Sequence, residues 1–179
     1  MKTLKSAHFY GTSVVSKLIQ FQTGPFSHSA VWIEQEERDY IQSMTGKKKL
    51  PFNIKLMEQW PHGGFIESWM DYNTLNDHTK GTKYEVWGLE MSELDWEYCM
   101  NRYIKSCEDK REYDWAAIVH FKIRSVKEDP IKTFCSEEVI IPICEILSWD
   151  TIKPYNIHPT LAVNLLQAAG GKKLFDGVV

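Results

Sequence analysis

The sequence lacks an excess of charge of either sign. Twenty-one Lys and Arg stand against 24 Asp and Glu, a formal net charge of -3 over 179 residues. Such a chain has no electrostatic footprint for coating nucleic acid, and none for holding an anionic membrane by charge alone. Long apolar runs are also missing: Val139 to Ile143 is far short of the roughly 20 residues that cross a bilayer. The start, MKTLKSAHFY, has two lysines but no apolar stretch behind them. We therefore expect no secretory signal and a cytoplasmic location. No CxxC pair occurs among Cys99, Cys107, Cys135 and Cys144, and their spacing fits no zinc finger or knuckle. The expectation is reduced thiols and no metal. No repeat or low-complexity segment is visible. What the chain does have is aromatic side chains, 13% of its residues, with seven Trp. They point to a filled core or a binding cleft. Its length predicts a single domain over residues 1–179.

Local patterns predict an α+β domain with an antiparallel sheet, because strands and helices mix without regular alternation. Val14, Val15, Leu18 and Ile19 lie at helical spacing over 12–22, with Thr12 or Ser13 as cap and Gly24-Pro25 as stop. SAVWI (29–33) and DYIQ (39–42) read as two strands, joined by a charged EQEER hairpin loop. Residues 46–80 have no clean period and read as an irregular excursion, with a short strand around Gly64 to Trp69. KYEVWGL (83–89) reads as a strand, followed by a helix capped by Ser92. WAAIVHF (115–121) reads as a short helix, and 135–148 as a helix containing Pro142. A last helix over 159–169 starts at Pro159 and stops at Gly170-Gly171.

Cys135 is the candidate nucleophile. It follows a charged, Pro-containing loop and begins an amphipathic helix. A thiol there feels the positive end of the helix dipole, which favours thiolate, and the first N–H groups can hold an oxyanion. The alternative reading is a buried, inert cysteine. A thiol nucleophile needs a base. His28 stands immediately before an apolar strand, where a side chain is held rigidly at a cleft rim. His62 and His78 fall in the excursion and read as solvent-facing, His120 as a core residue, and His158 as a helix cap. An imidazole also needs a polar partner to fix its tautomer. If SAVWI and DYIQ pair, Gln42 lies across from His28 and can accept its N–H.

These residues resemble a known group. FYGTSVVSKLIQFQTGPFSHSAVWI, DYIQSMTG, YDWAAIVHF and TFCSEEV, in this order, are similar to the circularly permuted NlpC-like branch of the papain-fold cysteine hydrolases. YiiX-like proteins, related poxvirus proteins and the lecithin–retinol acyltransferase group belong to that assembly. Ser27-His28 before a strand resembles its histidine motif, and Cys135-Ser136-Glu137 its Cys-Ser-Glu signature. The resemblance implies a papain-like fold and a cysteine hydrolase that cleaves an amide bond, including those of cell-wall peptides, through an acyl-enzyme. It implies Cys135 as nucleophile, His28 as general base and acid, and Gln42 as the orienting residue. Many relatives carry Glu in that third place, so Gln42 is a departure. Tyr113 would bind substrate, and no metal or organic cofactor is needed. A lipid-directed acyltransferase or thioesterase, and a non-catalytic binding module, are the competing expectations for the same fold. The partner expected is a peptide or lipid-like small substrate, with no nucleic acid.

Overall fold

Strands with side chains buried on both faces organise the chain. The structure is a computed structural model that describes residues 1–46, 50, 53–59, 71–109, 112–114, 132–153 and 156–179. Six strands form one sheet: β1 (Lys2–Tyr10), β2 (His28–Trp32), β3 (Ile54–Glu58), β4 (Asp71–Thr74), β5 (Lys83–Met91) and β8 (Lys172–Val178). Their order is β4-β3-β2-β1-β5-β8, and every neighbouring pair is antiparallel. A second, parallel pair joins β6 (Glu112–Tyr113) to β7 (Lys132–Thr133). Five helices complete the described residues: α1 (Val14–Thr23), α2 (Gln35–Thr45), α3 (Glu93–Asp109), α4 (Cys135–Ile146) and α5 (Pro159–Ala168). The domain is α+β, with an antiparallel sheet packed against helices. Among the described residues, no helix is long and apolar enough to cross a membrane.

The period of two separates the sheet's residues into two cores. Leu4, Val31, Met57, Trp87 and Leu89 join Trp96, Met100 and Tyr103 of α3, Val139, Ile140 and Ile143 of α4, and Val163 and Leu166 of α5. The alternate positions, Ala7, Phe9, Ala30, Trp32, Leu56, Tyr84 and Val86, form a second cluster on the other face. Every residue of β2 is buried, which fits a strand lying between β1 and β3 with both faces covered. Burying a side chain such as Trp96 or Tyr103 contributes on the order of 2–3 kcal/mol before entropy is counted.

Helix starts follow their caps. Ser13 Oγ accepts from Ser16 N, and α1 stops at Gly24, whose φ of 113° suits a residue without Cβ. Ser92 Oγ accepts from Asp95 N at 3.1 Å. The His158 ring accepts from Leu161 N at 3.1 Å, so His158 does cap the last helix. Helix α4 runs through Pro142, which cannot donate back to the carbonyl of Glu138.

One expected element is corrected. EQEER and DYIQ are not a loop and a strand; they form α2. Glu34 N donates to Glu37 Oε2 at 2.9 Å, which closes the helix start. The face that α2 buries is Glu37, Arg38 and Ile41. Two of those three are charged: Glu37 accepts from Lys5 Nζ at 3.0 Å and Arg38 donates to the Ile54 carbonyl at 2.7 Å. The 46–80 stretch is more regular than expected, since it supplies β3, β4 and a short 3₁₀ turn, Leu75–Asp77. The strand expected at Gly64 to Trp69 and the helix expected over WAAIVHF lie outside the described residues.

Candidate active site

Strand β2 and helix α4 bring the site together. His28 opens β2, opposite Phe9 of β1. Cys135 opens α4, which packs on β2. The recorded β2–β3 pairing is Val31 with Met57 and Trp32 with Leu56. Two residues upstream of Val31, the Ser29 N–H donates to the Cys135 sulfur, and the Ser136 N–H at the helix start does the same. The Tyr113 hydroxyl also hydrogen-bonds that sulfur. Residues remote in sequence thus meet where β2 passes the mouth of α4.

The residue bonded to His28 is Glu58, the last residue of β3. His28 Nε2 stands 2.6 Å from Glu58 Oε2, and His78 Nε2 stands 3.1 Å from the same oxygen. Glu58 is fully buried. Burial pushes its carboxyl up, but the hydrogen bonds from the two histidines, and their charge when protonated, outweigh that and hold it down to about 2. An ionised carboxylate only accepts, so both imidazoles carry their proton on Nε2. Burial lowers the pKa of His28, and Glu58 opposes that fall. His28 is therefore a neutral imidazole whose basic nitrogen is Nδ1. Phe9 braces the pair, stacking on His78 with ring centroids 4.0 Å apart and lying 5.8 Å from His28.

Gln42 is corrected here. It lies in the last turns of α2, half-buried, with its carbonyl accepting from Gly46 N. Without the 39–42 strand it is not across a hairpin from His28, and Glu58 takes the place expected for it. His78 is also corrected: it is buried rather than solvent-facing, because the 3₁₀ turn before it folds it onto Phe9 and Glu58. Glu58 was detectable as an acid ending a short alternating run, IKLME. His62 and His120 lie outside the described residues.

The thiol departs from expectation in one respect. Burial pushes Cys135 up to about 12; the Ser29 and Ser136 N–H groups lower it, and Glu58 and Glu137 raise it. Glu137 is fixed nearby by accepting from Phe134 N at 2.7 Å. The helix mouth does act on the sulfur, but desolvation is larger. In this closed arrangement Cys135 is a thiol, 1% exposed, packed with Ile19, Tyr113 and Phe134.

Beside it lies a cavity of about 280 Å³ lined by His28, His78, Tyr113, Phe9, Ile19 and the serines 13, 16 and 27, among others. Tyr113 both lines this space and contacts the sulfur, which places it between the cavity and the thiol. Gly11 completes the wall, where its N–H donates to Ser27 Oγ at 2.9 Å. A Cβ on Gly11 would meet the hydroxyls of Ser16 and Ser27.

No protein-family model matches the chain, and no curated protein sequence matches it.

Proposed function

We propose that the protein is a thiol hydrolase of the permuted NlpC-like, papain-fold kind, cleaving an amide bond of a small or peptide substrate. The observation that carries this reading is the 2.6 Å bond between His28 and Glu58 at the end of the strand whose next N–H holds the Cys135 sulfur. Cys135 is the nucleophile, His28 the base and acid, and Glu58, not Gln42, the orienting residue.

The chemistry follows from the tautomer. Substrate entering the cavity displaces the Tyr113 side chain from the sulfur. His28 Nδ1 takes the thiol proton as sulfur attacks the carbonyl carbon, and Glu58 stabilises the imidazolium that forms. The Ser136 N–H and its neighbours at the α4 mouth face the developing oxyanion. The imidazolium gives its proton to the leaving amine. Water, deprotonated by the same ring, then releases the acyl group. A neutral thiol beside a neutral base suits this route, since the proton moves during attack and no standing thiolate is required.

A thiol-directed covalent probe tests the assignment. The wild-type chain should label at Cys135, Cys135→Ala should not label at that site, and His28→Ala should label at least about 10²-fold more slowly. Equal labelling of wild type and His28→Ala would overturn the reading.

A further inference from the structure

The thiol reading uses His28 and Glu58 but gives His78 no work. His28 Nε2, His78 Nε2 and a Glu58 carboxylate oxygen lie within 4.8 Å of one another, all three residues buried. The second carboxylate oxygen, Glu58 Oε1, is buried and has no hydrogen-bond partner among the described residues. An uncompensated buried carboxylate oxygen is costly, and a cation is one of the few groups that satisfies it. The two rings also line the cavity, with the carboxylate buried behind them. We propose that these three side chains form a regulatory site for a zinc-class divalent ion, and that the ion switches the protein off by capturing its base.

The donor set selects the metal class. Two imidazoles and one carboxylate suit zinc and its neighbours, whereas calcium and magnesium require oxygen donors. Tetrahedral zinc with ligands at about 2.0–2.1 Å needs donor atoms about 3.4 Å apart. His28 Nε2 and His78 Nε2 now stand 2.6 and 3.1 Å from Glu58 Oε2, so each ring retreats by less than about 1 Å to admit the ion. Three protein ligands leave a fourth position for water, and the cavity lined by His28 and His78 is the space beside them.

The inhibition follows from proton placement and rests on the thiol reading above. Each imidazole now carries its proton on Nε2. Coordination through Nε2 requires that proton to leave and the ring to carry one on Nδ1 instead. His28 Nδ1 is the nitrogen that would take the thiol proton. Once it bears hydrogen it has no lone pair to offer, and Cys135 stays a thiol. No redox step or further reactant is involved.

Two readouts separate the metal site from the thiol reading. The first is zinc titration by calorimetry on the full chain carrying Cys135→Ser, in which no sulfur at position 135 can bind. The expected result is one zinc per chain, with X-ray absorption reporting nitrogen and oxygen ligands only. His78→Gln, which keeps a donor toward Glu58, should weaken zinc at least about 10-fold, and magnesium should not compete. Unchanged zinc affinity in His78→Gln, or sulfur in the zinc shell, would overturn the site. The second readout is probe labelling of wild type. Zinc should slow it and chelator restore it, with His78→Gln requiring at least about 10-fold more zinc for the same slowing. Labelling that needs zinc would overturn the inhibitory direction. If zinc binds as described but labelling ignores both zinc and His28, the site stands and the thiol reading fails.

Discussion

Two buried histidines stand one residue apart in the β1–β2 ladder and point to opposite faces of the sheet. His8 lies opposite Ser29, and His28 lies opposite Phe9. His8 is held between two hydroxyls, Ser29 Oγ at 2.9 Å and Ser6 Oγ at 3.0 Å, with Phe26 against its edge. Burial, joined by repulsion from His28 when that ring is protonated, lowers it to about 3. It is a structural group that stays neutral. His28 is nearly as buried, but it has a carboxylate and a cavity. Depth inside the protein lowers the basicity of both rings. The carboxylate is what fixes one tautomer and can stabilise an imidazolium, and in the proposed function the cavity is what gives a substrate access.

The largest way to break this comparison is to remove the carboxylate. Glu58→Gln should slow covalent labelling of Cys135 by about 10²-fold or more. Gln42→Ala should leave labelling within about 2-fold, which a side-by-side rate measurement decides. A loss of similar size in Gln42→Ala would return the orienting role to α2. Next, exchanging the histidines should dissociate their effects. His8→Gln should leave labelling within about 3-fold of wild type while lowering stability by about 1–3 kcal/mol in denaturant titration.

Acid sharpens the same contrast. Folded His8 stays neutral down to about 3, whereas the unfolded chain takes up that proton below 6.5. Its contribution to stability is therefore full above 6.5 and is lost as the pH falls, at up to about 1.4 kcal/mol per pH unit. Glu58 acts in the same sense lower down: its folded value of about 2 lies beneath the ordinary 4.5, so its stabilisation is lost as the pH falls through that interval. Stability measured at pH 7 and pH 5 should fall more steeply in wild type than in His8→Gln, and equal slopes would contradict the assignment. The smallest effect is at the cover of the sulfur. Tyr113→Ala should raise the rate at which a small alkylating agent reaches Cys135 by a few-fold to about 10-fold, because the hydroxyl contact and the ring both go.

What the sequence made legible follows from how local each signal is. Ser13, Ser92 and His158 announce helix starts by side-chain chemistry within three residues, and all three helices begin there. The contrast with α2 is instructive: its buried face is built from Glu37 and Arg38, whose partners Lys5 and the Ile54 carbonyl are remote in sequence. A charged residue buried by a distant partner looks like a loop residue until the fold is known. Strands β1 and β8 were not read for related reasons. β1 buries Ser6 and His8 among its apolar positions, and β8 is a largely exposed edge strand. At the site, Cys135 and His28 were readable because each sits at the end of a recognisable element. Glu58 ends a recognisable run too, but its meeting with His28 and His78 was not readable, since it depends on the register of β3 and on the turn at Leu75–Asp77.

The central claim is that Glu58 promotes the reaction of Cys135 by orienting His28, and a double-mutant cycle on the labelling rate tests it most directly. The account predicts that His28→Gln/Glu58→Gln labels no more slowly than His28→Gln alone, because a carboxylate without its imidazole has nothing to orient. Losses that multiply in the double variant would contradict it.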